Sequence, residues 1–290
     1  MNKRFKVGYQ GQHGTFSEIA VTQFFEGQDI QACSYTNFPA IIHDVEQGIL
    51  DYALLPVENT TTGIIYRTYD LLKDSSVFAV GEVHVRIDEH LIGLPGTKLE
   101  TIREVYSHPE PLDQCAGFFA AHPWMRPVAY QDTAKSVEMV ARWQDPSRAA
   151  LGSWRAAQYY GLPILKERVQ DNQLNTTRFF CVAGGPQEVA EADKISMMFV
   201  VNHEPGALYR VIRVFAQRGI NMLKLESRPI RGRMYEYCFY IDFDGSLSQP
   251  QTQQAIAEVR CHCLEMKVLG HYRRATIPDL CRKEEKEENQ

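Results

Sequence analysis

Through its first 185 residues the chain alternates short apolar runs with amphipathic stretches, the order expected of a mostly parallel α/β sheet. Strand-like runs at 6–9, 51–57, 104–106, 128–130 and 149–152 each end in a polar turn that opens a helical pattern. The helices expected here start at Thr15, cover 64–72, and follow Ser107-His108-Pro109, Asp132-Thr133-Ala134 and Ser153, the last closing near Gly161. A final run, Phe179-Phe180-Cys181-Val182-Ala183, is aromatic and β-branched enough to want burial in a sheet. At its entrance stand Asn175, Thr176, Thr177 and Arg178, polar groups held by rigid structure and aimed at something.

The pattern breaks at Gly184-Gly185-Pro186, and a polar stretch runs to Asp193. Runs at 195–201, 220–225, 235–243 and 264–272 then read as strands, with helices from Pro205-Gly206-Ala207-Leu208 to about Arg218 and over 250–263. The order βαββαβ predicts a ferredoxin-like domain over 194–273. Residues 274–290 carry charge and little apolar content, which predicts a disordered tail.

Composition narrows the classes. The chain has 290 residues, 44% hydrophobic and 23% charged, in the range of an ordinary soluble protein of about two domains. A formal charge of -5 gives no electrostatic reason to expect nucleic acid or an acidic membrane as partner. No apolar run is long enough to span a bilayer or serve as a secretory signal. Seven scattered cysteines are poor material for a disulfide framework and fit a reducing cytoplasm. Cys261-His262-Cys263 lacks a second cluster to complete four metal ligands and reads as a helix end.

The turns carry the chemistry. Thr15-Phe16-Ser17-Glu18 has the form of a capping box, and Thr62, Asp132 or Thr133, and Ser153 are further cap candidates. In a parallel α/β sheet the strand C-termini share one edge, so several helix N-termini meet there. Their free amides and positive dipole ends suit a carboxylate. Gly11, Gly14 and Gly63 would let backbone approach a ligand, and Arg178 offers a planar fork for one carboxylate. No Walker loop, complete Rossmann fingerprint, nucleophile elbow or catalytic triad is evident. The residues alone therefore point to a small-anion site with hydroxyl chemistry, followed by a small regulatory-looking domain.

From about Lys6 to Tyr272 the chain resembles the prephenate dehydratase family. The resemblance rests on Gly14-Thr15-Phe16-Ser17, Leu55-Pro56-Val57-Glu58-Asn59 with Gly63, Ser107-His108-Pro109 with Gln114-Cys115, Asp132-Thr133-Ala134, and Asn175 with Thr177-Arg178-Phe179. The second domain resembles an ACT domain through Gly206-Ala207-Leu208 and Glu226-Ser227-Arg228-Pro229. The resemblance implies a catalytic domain over 1–186 with two lobes, similar to type II periplasmic binding proteins. Lobe one would hold 1–80 and 177–186, and lobe two 81–176. It implies a lyase that turns prephenate into phenylpyruvate with loss of carbon dioxide and the ring hydroxyl, without metal or cofactor, because the lost carboxylate supplies the electrons. The family's essential threonine is Thr177 here, and Thr176 alternates to the other face. Asn59, Ser107 and Gln114 match residues lining the family's site. Asn175, Thr133, Thr15, Thr60 and Phe179 join them as substrate-binding candidates. Two roles fit Arg178: holding a substrate carboxylate, or packing behind the site.

The same resemblance implies feedback control of phenylalanine biosynthesis. Phenylalanine would bind at Gly206, Ala207, Leu208, Glu226, Ser227, Arg228 and Pro229 between paired ACT domains, in a homodimer or homotetramer. Pro205 in the first helical turn would free the Gly206 and Ala207 amides for its carboxylate. The chain departs from the family where Gln12-His13 replaces the usual Pro-Glu, Thr60 the usual serine, and Ser136 a small apolar residue. His13 is either a solvated loop histidine or a site residue that adds pH sensitivity. No mutase-like helical segment precedes the catalytic stretch, so a single activity is expected. Arogenate dehydratase chemistry stays open, as does a non-catalytic aromatic-amino-acid sensor, which the lack of a secretory signal disfavours.

Overall fold

The computed structural model describes residues 4–230, 232 and 236–276. Strand β1 (Phe5–Gln10) buries Val7 and Tyr9 and runs into helix α1 (Phe16–Phe24). β2 (Ile30–Tyr35), α2 (Phe38–Glu46) and β3 (Tyr52–Asn59) follow, with β2 and β3 parallel to β1 on either side. Asn37 caps α2 by accepting from the Ala40 N–H at 3.0 Å. The two-residue β4 (Gly63–Ile64) turns back along the end of β3 before α3 (Tyr66–Asp74) and β5 (Phe78–Arg86).

The chain then crosses into a second sheet. Its strands are β6 (His90–Ile92), β7 (Glu104–Ser107), β8 (Arg126–Ala129), β9 (Arg148–Gly152) and β10 (Ile164–Lys166), in the order β10-β6-β9-β7-β8. Helices α4 (Pro109–Gln114), α5 (Ala116–Ala121), α6 (Thr133–Trp143) and α7 (Trp154–Tyr160) connect them. Asp132 caps α6 through the Lys135 N–H and Ser153 caps α7 through the Ala156 N–H. Gly161 closes α7 in the left-handed region, where glycine carries no Cβ penalty.

β11 (Thr176–Ala183) returns to the first sheet and inserts between β3 and β5, with all eight residues buried. It is antiparallel to both neighbours, so the first sheet is mixed and not mostly parallel. The cause is connectivity. β11 re-enters from the second lobe at the end where β3 leaves, and must run the opposite way. The register pairs Thr176 with Arg86, so residues 81–86 belong to the first lobe. The crossings between lobes thus fall at 87–89 and just before Thr176, later than an 80/81 division places the first.

The C-terminal domain is β12 (Lys194–Val200), α8 (Ala207–Gln217), β13 (Met222–Pro229), β14 (Tyr237–Asp244), α9 (Pro250–Cys261) and β15 (Glu265–Tyr272). Its antiparallel order, β13-β14-β12-β15, is that of a ferredoxin-like βαββαβ unit. Gly270 of β15 pairs with Ala79 of β5, which joins this sheet to that of lobe one as one ten-stranded sheet. α9 ends at Cys261, so Cys261-His262-Cys263 is a helix end. Of the expected tail, Arg274 pairs with Asp244 and the Ala275 N–H donates to Glu82 at 3.0 Å, so these two residues are docked. Residues 277–290 lie outside those described.

Candidate active site

Between the lobes lies a cleft of about 410 Å3, within the size range of small-molecule sites. The turns after β1, β3, β7 and β8 line it through Phe16, Asn59, Thr62, His108 and Thr133. The turn after β9 instead ties the lobes together, with Ser153 donating to the Gly14 carbonyl. Gly14 has φ +91°, and a Cβ there would sit 2.6 Å from Ala156 Cα, so only glycine permits this closure.

Thr177 and Asn59 are register partners on β11 and β3. The Asn59 Oδ1 accepts the Thr61 and Thr62 N–H groups at 2.8 and 3.0 Å, which fixes its amide orientation. Its Nδ2 therefore donates to Thr177 Oγ1 at 2.9 Å and to Asn175 Oδ1 at 2.7 Å. Asn175 passes the chain on, its Nδ2 donating to Gln114 Oε1 at 3.0 Å. With Oγ1 occupied as an acceptor, the Thr177 hydroxyl keeps its hydrogen for the cleft. The chain of amides joins lobe one, the returning crossing and lobe two around one hydroxyl.

Other predicted positions fall elsewhere. Thr15 is the N-cap residue of α1 but makes no cap bond, since its hydroxyl donates to the Gln12 carbonyl at 3.0 Å. Glu18 reaches back to the Gly14 N–H at 2.6 Å and to His13 at 3.0 Å, not to Thr15. His13 also stacks on Tyr159, and it does not line the cleft. Thr62 caps no helix, because α3 begins only at Tyr66 with Ile65 as its N-cap residue. Ser107 is fully buried, its hydroxyl 3.4 Å from the Leu151 carbonyl. Thr60 hydrogen-bonds the Thr176 N–H and the Leu174 carbonyl on the far side of the sheet. Phe179 packs in the core of lobe one with Tyr9, Leu54 and Val83.

Arg178 does not line the cleft. It alternates to the face opposite Thr177, where Nε donates to Glu82 at 2.6 Å, Nη1 to Asp242 at 2.5 Å and Nη2 to the Tyr272 hydroxyl at 2.9 Å. Lys194 adds a 3.0 Å pair to Glu82, and Lys224 one of 2.9 Å to Glu58. All of these except Tyr272 line a second cavity, of about 520 Å3, between lobe one and the C-terminal domain. Burial opposes charge on Arg178, Asp242 and Lys194. Tyr272, Asp242 and Glu82 nevertheless hold the Arg178 guanidinium well above its ordinary value. Against the same desolvation, Arg178 and Lys194 hold the Asp242 carboxyl below its own. Lys194 is pushed down, by burial first and then by Arg178.

Sequence reasoning overlooked Glu89, a 1% exposed residue of the first crossing that lines the cleft. Burial, aided by Asp88 and Glu110, pushes its carboxyl up to about 8. The available signal was an acid separated by one residue from the apolar run Leu91-Ile92.

In the C-terminal domain Gly206 is the α8 N-cap with φ +78°, so Pro205 precedes the helix and is not in its first turn. The Ala207 N–H is taken by the Glu204 carbonyl at 3.2 Å and is not free. Ala207 and Leu208 line a small cavity of about 160 Å3 with Tyr237 and Phe239. Glu226 to Pro229 lie on the edge strand β13. Glu226 faces the interdomain cavity, Arg228 pairs with Asp70 of α3 at 2.7 Å, and Ser227 and Pro229 are exposed. Among the described residues, Glu226 and the pair Ala207 and Leu208 line different cavities of one chain.

Residues 7–187 match the model of the family described as prephenate dehydratase, and 195–261 that of the ACT domain. A bifunctional chorismate mutase/prephenate dehydratase of Enterobacter agglomerans is 35% identical, the match covering 92% of this chain and 70% of that one. An arogenate dehydratase/prephenate dehydratase of Arabidopsis thaliana is also 35% identical, over 93% of this chain and 72% of its own. Among solved structures, a prephenate dehydratase of Arthrobacter aurescens in complex with L-Phe superposes with a TM-score of 0.84 at 28% identity, covering 94% of each chain. A protein described as a novel type of quorum-quenching acylase, GqqA, superposes with 0.83 at 31% identity, over 93% of this chain and 98% of its own. A catalytic stretch and a regulatory stretch thus match in sequence, in order and in fold, and the chain belongs to the prephenate dehydratase family with a C-terminal ACT domain.

Proposed function

We propose that this protein converts prephenate to phenylpyruvate, and that phenylalanine bound at the ACT domain restrains it. The observation that carries the reading is the amide chain that leaves the Thr177 hydroxyl as a donor into the cleft. In the reaction the carbon–carboxylate bond breaks, carbon dioxide leaves, and its electron pair enters the ring as the ring hydroxyl departs. Aromatisation drives the step, and departure of hydroxide is the difficult event. A hydrogen bond from Thr177 to the departing oxygen stabilises charge that grows only in the transition state. Asn59 aims that hydroxyl, Gln114 and Asn175 set the spacing of the lobes around the ring, and Thr133 at the start of α6 offers a helix N-terminus to a carboxylate. The scattered cysteines fit a cytoplasmic lyase, and the separation of the two ACT segments fits a ligand site completed by a second copy.

Initial rates on prephenate and on arogenate, each with and without phenylalanine, test this reading. Turnover of prephenate that phenylalanine lowers is expected. A chain that turns over neither substrate overturns it. Arogenate as the preferred substrate is the second reading, favoured by the plant relative that carries both names.

A further inference from the structure

Glu89 is an acid for which the roles above find no use. Its main-chain N–H is fixed by Gln170 Oε1 at 3.0 Å, and Gln170 Nε2 holds Asp88 at 3.0 Å. The nearby cations turn to Asp88 instead, Arg86 at 2.9 Å and Arg168 at 3.6 Å. The Glu89 Oε2 atom is buried without a hydrogen-bond partner among the described residues, in the wall of the cleft that also holds Asn59, Gln114 and Thr177. A carboxylate in that position would leave an uncompensated charge, whereas a carboxylic acid carries a hydrogen that needs an acceptor. The reaction supplies one. Thr177 can donate a hydrogen bond, but an alcohol does not readily part with its proton, and hydroxide leaves well only as water.

We infer that Glu89 is the acid that protonates the departing ring hydroxyl, with Thr177 holding that oxygen in place. The inference rests on the dehydratase reading. The proton passes from Glu89 to the ring oxygen, the carbon–oxygen bond breaks, and water leaves. The pair from the breaking carbon–carboxylate bond completes the aromatic ring, carbon dioxide leaves, and Glu89 remains as a carboxylate that solvent reprotonates. Nothing is oxidised or reduced.

The surroundings keep the acid protonated at rest. Asp88 and Glu110 repel its charge. Cys115, whose thiol burial pushes up, and Asp171 stand nearby and add no cation. His90 accepts the Arg168 N–H through Nδ1 and is pushed down by burial. His108 and Asp132 share the cleft wall.

The test is kcat and KM across pH for the unaltered chain and for Glu89→Gln. The unaltered chain should lose kcat as pH rises through about 8. Glu89→Gln should lose roughly 10²- to 10⁴-fold in kcat with KM nearly unchanged, and the small remaining rate should lack that alkaline fall. An unimpaired Glu89→Gln, or one that keeps the alkaline fall, overturns the assignment while leaving the dehydratase reading intact. No turnover of prephenate by the unaltered chain overturns the dehydratase reading itself. Should the variant not fold, infrared spectra of the unaltered protein decide. A protonated carboxyl band at neutral pH that fades through about 8 is expected, and its absence at neutral pH refutes the role.

Discussion

Thr176 and Thr177 differ in one respect, the face of β11 on which each hydroxyl lies, and that makes them a matched pair. Thr177 faces the cleft and is held by Asn59, whereas the Thr176 hydroxyl donates to the Leu174 carbonyl at 3.3 Å beside the interdomain cavity. Thr177→Ala should cost about 10²- to 10⁴-fold in kcat, roughly 3–5 kcal/mol of barrier. Thr176→Ala should lose only a weak hydrogen bond, about 1 kcal/mol of stability, with turnover little changed. Equal losses of turnover in the two variants would refute the division of roles. Glu89 makes a prediction about stability as well. Its folded value, about 8, lies above its ordinary 4.5, so the folded state holds a proton that the unfolded chain has released between those values. The stability it lends is complete below 4.5 and is lost as pH rises through about 8. Glutamine has no such charge, so Glu89→Gln should flatten the decline in urea midpoint across that window. An undiminished slope would show that another group carries it.

At the scale of elements, β11 is the strand on which the two cavities meet back to back. Thr177 opens on one and Arg178 on the other, so the same strand positions the Thr177 hydroxyl and anchors the ACT domain. Arg178 is buried with Glu82 and Asp242; removing it leaves Glu82 its Lys194 but takes from Asp242 its nearest cation, since Lys194 stands 3.9 Å away. Arg178→Met should destabilise by about 3–5 kcal/mol, and adding Asp242→Asn should restore part of that loss. Denaturant titration of the two variants would check it, and a double variant no better than the single would argue that the pair is not coupled. β11 was legible as a buried run, and its alternation separates Thr176 from Thr177. What covers each face was not legible, because the partners of Arg178 lie 64 to 120 residues away in sequence. The cap expected at Thr62 failed because β4 intervenes and α3 starts only at Tyr66, which the pairing of β4 with β3 decides. Asp132 and Ser153 could be read because a cap bond spans just three residues. The mixed sheet was hidden because the direction of a returning strand depends on where the chain re-enters.

For the whole molecule, the seam where β15 lies beside β5 is the place to test a link between regulation and chemistry. One register pair, Gly270 with Ala79, carries the ten-stranded sheet from one domain to the other. Further ties flank it. Lys267 donates to the Leu72 and Lys73 carbonyls at 2.6 and 3.0 Å at the end of α3, and Arg228 grips Asp70 of the same helix. Tyr272, two residues beyond Gly270, hydrogen-bonds Arg178 and so reaches the back of Thr177. A ligand that shifts the ACT sheet is expected to be felt in the cleft through this seam, since coupling needs contacts that differ between two states. A Cβ at Gly270 would stand 2.5 Å from Ala79 Cβ and 2.8 Å from the Ala79 carbonyl oxygen, and backbone cannot give way cheaply. Gly270→Val should therefore part the seam while leaving the residues that line the cleft unaltered. The expected result is substantial turnover with the phenylalanine response lost, a coupling change of about 1–3 kcal/mol or 5- to 150-fold in the half-inhibiting concentration. Phenylalanine should still bind and raise the melting temperature, because neither motif segment of the ACT domain is altered. If Gly270→Val is inhibited at the same phenylalanine concentration as the unaltered chain, the signal travels by another path, and the seam is only a structural join.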